Sequence, residues 1–550
     1  GYEYDSNGRF LLKQTDNLGL QTQTTYNDSG QIKTKTDPFN NIITNTYDGW
    51  GKLITSKTNL GGTTSYQYER DVQSNVVVTQ NDPDGNISKK NTNIWGQEYK
   101  NSTKAFGQGQ FVSQETRYDV LGRKLAESEP YFGDTAPTFP NNITYDVDIK
   151  VSGWNIIKYN DIVYPTKIKT ISFNNKQSES SVSGSITTIK ELNGYGRTTS
   201  KTTDALGNII STTDKGGTIE FTYNAAGEQT QAKYAKNIVT TKYDSWGRKS
   251  EFRDPSNGVY KYEYDGFGRA KKTISPKGEK EYIYNNFGQL ISQKEFSTID
   301  AGQATNKTIS FTYNNKGLLT AKSGVIKGQM YSSALIYDPQ GRILSSSESG
   351  NGKYYIQKGI TYDDKARVTS YEKQLYSSGV LTKVTIENVY SAWNGELYQI
   401  KDKNSRKILW ELQETNAKGQ VLKSKLGAAE INNLYGTNGF LNNTNHSSIT
   451  KSGILQISYT FDAIKNELES RSTGGDFNIV ETFIYDDNNR LTEWINPVSG
   501  QISKNTYDIK GRILENDQVG TIKFSNTTKI YQPTGFVPNE AGQQNYLNNL

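Results

Sequence analysis

The chain has 550 residues, of which only 33% are hydrophobic, 11% are aromatic and 22% are charged. That is too few apolar residues for the three or four globular cores its length would otherwise suggest, and too many aromatics for a disordered chain, so a folded protein with a thin core remains. The net charge of +6, from 63 basic and 57 acidic residues with no long run of either sign, argues against nucleic acid as a partner, and the lack of cysteine excludes disulfides and thiolate metal sites.

The chain opens in mid-motif, GYEYDSNGRF, without a signal peptide, and its one methionine is Met330. It reads as an internal piece of a longer polypeptide. The motif is Tyr, then Asp or Asn, two variable residues, Gly, and often Arg, Lys or Gln. Copies begin at Tyr4, Tyr26, Tyr47, Tyr118, Tyr223, Tyr243, Tyr264, Tyr284, Tyr313, Tyr337, Tyr362, Tyr485 and Tyr507. Many follow one another after 20 to 22 residues, the self-similarity of a repeat architecture. Repeats are dense over residues 1–130, and the phase is lost over an irregular excursion at 131–190 containing YFGDTAPTFPNN. They resume over 191–370, degenerate over 371–477, as in YSAWNGEL and TNAKGQVL, and return over 478–550. No long Pro- or Ser-rich linker intervenes, so the segments read as one continuous structure, and no run of 18 apolar residues offers a membrane span.

Within each repeat the aromatics alternate, Tyr262 with Tyr264, Tyr282 with Tyr284, Phe311 with Tyr313, which is the period of a strand with its rings on one face. The Asp and Gly that follow form a turn, because an aspartate bonds the backbone ahead and glycine accepts positive φ; Gly247 and Gly268 are expected to do so. A second turn follows at Asp16, Asp37, Asp204, Asp254 or Ser275, leaving two strands of about six residues per repeat. Thirteen motifs then imply about 26 strands. The fold class is all-β, a long antiparallel sheet of hairpins that curls into a wall, each tyrosine ring stacking on its neighbour while its hydroxyl reaches a polar group. A β-propeller is the alternative, since two repeats match a blade in length.

Structural roles in the wall fall to Tyr4, Asp5 and Gly8; Tyr47, Asp48 and Gly51; Tyr118, Asp119 and Gly122; and Tyr243, Asp244 and Gly247. Further along they fall to Tyr264, Asp265 and Gly268; Tyr284 and Gly288; Tyr337, Asp338 and Gly341; and Tyr507, Asp508 and Gly511.

The copies YDSWGR, YDGFGR, YDVLGR, YDPQGRIL and YDIKGRIL resemble the YD repeat of the Rhs family, found in bacterial Rhs polymorphic toxins, shell subunits of Tc insecticidal toxins, wall-associated bacterial proteins and animal teneurins. The resemblance implies a hollow shell around a C-terminal toxin segment as cargo, handled by secretion or delivery machinery and found outside the cell or on its surface. The family's DPxGR-type closing motif, with its self-cleavage, does not appear before the end IYQPTGFVPNEAGQQNYLNNL, so no cleavage and no toxin is assigned to these residues.

Residues for other chemistry are sparse. The single histidine, His446 in NNTNHSS, reads as a solvated loop residue, and with no cysteine a self-contained Ser-His-Asp, Cys-His or histidine zinc site is excluded. A carboxylate pair for glycoside hydrolysis is open in principle, but most recurring aspartates have turn roles. DPDGN at Asp82 to Asn86 has Asn93 where a calcium loop needs glutamate, and GQGQF at 107–111 lacks the setting of a phosphate loop. Tyr66 and Tyr68 read as wall packing rather than a sugar platform. The expectation is a non-enzymatic chain with no metal and no cofactor, a container for a toxin; a surface adhesin binding glycans or proteins is the alternative.

Overall fold

The computed structural model describes residues 1–107, 109–140, 143–146, 148–298, 306–497 and 499–547. Among them are 47 strands and one short helical stretch between Glu540 and Leu547, and the strand pairings are antiparallel. The chain divides into two compact units, one of Gly1–Gln114, Phe132–Thr135 and Glu263–Gly427, the other of Glu115–Tyr131, Ala136–Tyr262 and Ala428–Leu550.

In the first unit ten successive strands, from Tyr2–Tyr4 to Glu98–Lys104, each pair with the next. A second run does the same from Ala270–Ser275 to Val421–Leu426. Propeller blades hold four strands, so ladders of this length exclude a propeller. The strand count exceeds the expected 26 because hairpins do not need the tyrosine. Turns at Asp71, Asn93 and Asn416 close in the same way as those after a tyrosine, and strands continue through segments whose motif has degenerated. His446 is likewise not in a loop: it lies half-buried in the strand Leu441–Ser447, opposite Ile431 and Leu455. In a one-layer sheet both faces meet water, so a polar sequence is compatible with a strand.

Burial follows from the single layer. Strands read as alternating half-buried and exposed residues, as in Gln21–Tyr26 and Lys307–Tyr313. Among the described residues one apolar cluster is buried, in the second unit, where Ala126, Val151, Trp154, Ile156 and Ile171 pack against Ala136, Phe139 and Ile143. There Trp154 is fully buried and its Nε1 donates to the Pro137 carbonyl at 2.9 Å.

Within each unit, hairpin turns of an early run stand against turns of a later one. In the first unit Asn41 donates to Gln340 O (3.2 Å), Lys316 to Pro38 O (2.7 Å) and Trp393 Nε1 to Ala105 O (3.0 Å). In the second, Asn174 donates to Ala463 O (3.1 Å), Tyr195 to Glu467, and Lys215 pairs with Asp487. The partners in these seams lie 270 to 299 residues apart in sequence.

The turns use one residue with positive φ: Gly247 at 77° and Gly268 at 82°, as expected. Ala366 takes that place at 62° in the turn DDKA, where its Cβ is strained against the backbone. Ala366→Gly is therefore expected to raise stability by about 0.5–1 kcal/mol and Gly268→Ala to lower it by about 1 kcal/mol. Thermal unfolding monitored by circular dichroism checks both, and midpoints that do not move in opposite directions would contradict the assignment.

Candidate functional site

The unit that recurs along the chain is the turn itself. At Asp244 the carboxylate Oδ1 accepts from the backbone N–H of Trp246 (2.9 Å) and of Arg248 (3.0 Å), while Gly247 N–H donates back to Asp244 O (3.1 Å). This is a three-residue hairpin loop ending on a left-handed glycine. Asp48, Asp119, Asp265, Asp338 and Asp508 each accept two backbone N–H groups in this way, and Asn285 does so beside Tyr284; Asp5 accepts instead from Arg9 and Phe10, four and five residues ahead. Gly8, Gly51, Gly122, Gly288, Gly341 and Gly511 all have positive φ.

The second carboxylate oxygen has a partner that the motif alone did not reveal. In seven turns the arginine four positions after the aspartate donates from Nε to Oδ2 at 2.6 to 2.9 Å: Arg123, Arg248, Arg269, Arg342, Arg367, Arg490 and Arg512. Where the turn begins with Asp37, Asp71, Asp82 or Asp204, an asparagine amide donates instead. Where it begins with asparagine, the direction reverses: Asn27, Asn93, Asn285 and Asn416 donate to the Oε1 of Gln31, Gln97, Gln289 and Gln420. An ionised carboxylate only accepts, whereas an amide also donates, so in these turns the first residue and its partner are complementary; Asp16 and Asn314, followed by Leu20 and Leu318, close with backbone donors. Within the sequence this pairing at positions one and five was the available signal.

The same arginine joins one repeat to the next. Arg367 reaches the Gly395 carbonyl (3.3 Å), as Gln31 reaches Gly51 O (2.6 Å), and its guanidinium lies 4.2 Å from the centre of the Tyr390 ring. Arg269 covers Tyr284 (4.4 Å) and Arg490 covers Tyr507 (4.8 Å) in the same fashion. The expected tyrosine-on-tyrosine stacking is thus replaced by cation–π contacts with arginine, which also neutralise the aspartate beneath. The hydroxyls do reach polar groups. Tyr47, Tyr243, Tyr284, Tyr337 and Tyr507 donate to backbone carbonyls of Ile32, Gln229, Ala270, Leu319 and Leu491, two residues past the preceding turn's closing residue. Tyr4 is exposed, and Tyr118 and Tyr264 end their strands at the equivalent place.

At Asp119, Asp244, Asp265, Asp363, Asp486 and Asp508 these contacts favour the ionised carboxylate. The Arg248 side chain holds the Asp244 carboxyl below the usual range. At Asp508 desolvation opposes this, yet the backbone and guanidinium of Arg512 still bring it down. A cavity of about 1370 Å³ in the second unit opens along the seam between the turns at Tyr195–Arg197 and Lys215–Gly217 and those at Asp487–Arg490 and Ile509–Gly511. Beside it, burial and a hydrogen bond to Glu467 push the Tyr195 phenol up to about 12. Among the described residues no cluster of three or more His, Asp or Glu could hold a metal ion.

With this geometry in view, the comparisons are specific. The RHS repeat family matches residues 4–42, and the teneurin YD-shell family matches residues 163–301. The chain carries YD repeats of the Rhs type. The crystal structure of TcdB2-TccC3 without its hypervariable C-terminal region is similar over 98% of this YD-repeat chain and 37% of that chain, at 12% identity and a TM-score of 0.53. The Photorhabdus luminescens Tc holotoxin pore is similar over 94% and 34%, at 13% identity and a TM-score of 0.57. What is shared at these identities is the fold, and the YD-repeat chain spans little more than a third of the length of those chains. No curated protein matches the sequence.

Two outcomes follow from the turn chemistry. In unit one, Asp363→Asn and Arg367→Gln should each cost about 1 kcal/mol, whereas the double variant, which recreates the Asn27–Gln31 pair, should cost clearly less than the sum. Denaturant titration of the four proteins measures the coupling, and strict additivity would refute the pairing rule. Asp71, Asp204, Asp244, Asp265 and Asp363 all have lowered carboxyl pKa values. Their stabilisation is complete above the unfolded aspartate pKa of about 3.9 and is lost as pH falls through the lower folded values. The thermal midpoint should therefore be level from neutral pH to about pH 5 and fall steeply below about pH 4; a midpoint level to pH 2.5 would disprove it.

Proposed function

We propose that this chain is a length of shell wall, without catalytic activity of its own, that encloses a C-terminal toxin or effector segment of a secreted polymorphic toxin until delivery. The supporting observation is the face opposite the tyrosines. Large aliphatics stand exposed immediately before the repeat tyrosine: Ile283 and Ile336 in one unit, Leu434 and Ile484 in the other. A soluble sheet gains nothing from such residues in water, but an unfolded polypeptide held against them supplies the missing apolar contacts. The fold shared with the Tc chains supports the same reading.

In the polypeptide that carries this chain, cryo-electron microscopy is expected to show polypeptide density against that face, and trypsin should spare the enclosed segment. An empty interior with a ligand bound on outward loops would overturn the proposal in favour of an adhesin. Ile283→Ser combined with Ile336→Ser should leave the thermal midpoint within the small range of surface changes, about 0.5 kcal/mol, while shortening protection of the cargo. Unchanged protection would remove this face from the mechanism.

A further inference from the structure

The cavity in the second unit has a floor of definite geometry. Successive ladders set Thr187, Lys201, Thr212, Ile219, Tyr234 and Asn237 directly opposite one another in turn, one residue from each of six consecutive strands. Residues paired in this way share a face, here the tyrosine face, since Ile219 alternates with Phe221 and Tyr223. All six line the cavity, so its floor is a continuous track across the strands, about 24 Å long, with a side chain about every 4.8 Å. Ile509 and Tyr531, 63% and 44% exposed, supply apolar surface on the facing wall.

The track offers hydroxyls beside apolar surface, and most of the charge around it is cancelled. Arg197 pairs with Glu191 (2.7 Å), Arg490 with Asp486 (2.7 Å) and Lys215 with Asp487. That leaves Lys201, Lys510 and Asp214, charges of both signs, so the walls select no strongly ionic ligand. Asn237 closes the row. It is 9% exposed and its Oδ1 accepts no hydrogen bond, whereas the hydroxyl of its neighbour Tyr234 donates to the Gly216 carbonyl. A buried amide oxygen without a donor marks a place for the hydroxyl or amide N–H of a ligand.

We propose that this track binds a neutral β-linked oligosaccharide, laid across the strands with one ring to a strand. The volume, about 1370 Å³, exceeds the roughly 300–1,000 Å³ of a small-molecule pocket, as a chain-like ligand requires. A β-linked pyranose chain advances by about one strand spacing per ring. It presents C–H faces to Ile219, Tyr234 and Tyr531, and hydroxyls to Thr187, Thr212 and Asn237. An extended peptide advances about 3.3 Å per residue and falls out of step with side chains about 4.8 Å apart. The track lies on the face opposite the one given to the enclosed segment, so the two readings stand or fall separately.

Isothermal titration calorimetry of the 550-residue chain with chitohexaose and cellohexaose tests this. One or both should bind, at least about tenfold more tightly than the matching disaccharide, because more rows of the track are engaged. Asn237→Leu should weaken the hexamer by about tenfold, as loss of one buried hydrogen bond does, without lowering the thermal midpoint, since it removes an unpaired polar group. An amide that serves only the wall would leave affinity unchanged. Thr212→Arg, which fills the middle of the track, should abolish binding. No binding of either hexamer at millimolar concentration, equal affinity for hexamer and disaccharide, or affinity unmoved by both substitutions would overturn the proposal. Displacement of the sugar by hexaserine as readily as by a second hexamer would also overturn it, and would give the groove to polypeptide.

Discussion

The structure depends on a side-chain oxygen that accepts two backbone N–H groups, two and four residues ahead of it. That oxygen bends the chain without help from a core, which the composition could not supply. The strands on either side then need only antiparallel neighbours, which this turn supplies in alternation with two-residue turns such as Lys215–Gly216 and Pro276–Lys277. The second oxygen, or the amide that replaces it, recruits a residue at the far side of the loop. That residue carries the link onward to the next repeat's carbonyl and aromatic ring. A hairpin is therefore completed only by the hairpin that follows.

This arrangement explains a stable sheet with so little buried apolar surface. Stabilisation is spread over ladder hydrogen bonds, turn closures and arginine–tyrosine contacts, each modest, rather than concentrated in a core. Where the repeat is interrupted, near residues 133–153, the chain returns to ordinary means and buries Trp154 with four smaller apolar residues. Trp154 and the repeat turns are two answers to the same shortage of interior.

Much of this could be read before any coordinates. The alternation of Tyr262 with Tyr264 marks a strand, Asp265 and Gly268 mark the turn, and the tyrosine hydroxyl on a ring half in water calls for a polar partner. The strand count was short because Asp71, Asn93 and Asn416 close hairpins without a tyrosine to announce them. The pairing of Asp with Arg and Asn with Gln was visible only by comparing copies position by position. The seam had no local signal at all, since Asn41 and Gln340 meet across 299 residues. His446 misled because polar sequence implies a loop only when one face of a strand must be dry.

The spacing of the contacts also decides how such a chain comes into being. Through the regular repeats, apart from the seams, ladder and turn interactions connect residues within about one repeat of each other, for example Tyr243 with Gln229, 14 residues away. Low contact order of this kind favours fast, sequential assembly. Each hairpin can settle on the one made just before it while the rest of the polypeptide is still being synthesised or threaded, and the seam acts last, as a clasp that fastens a wall already standing.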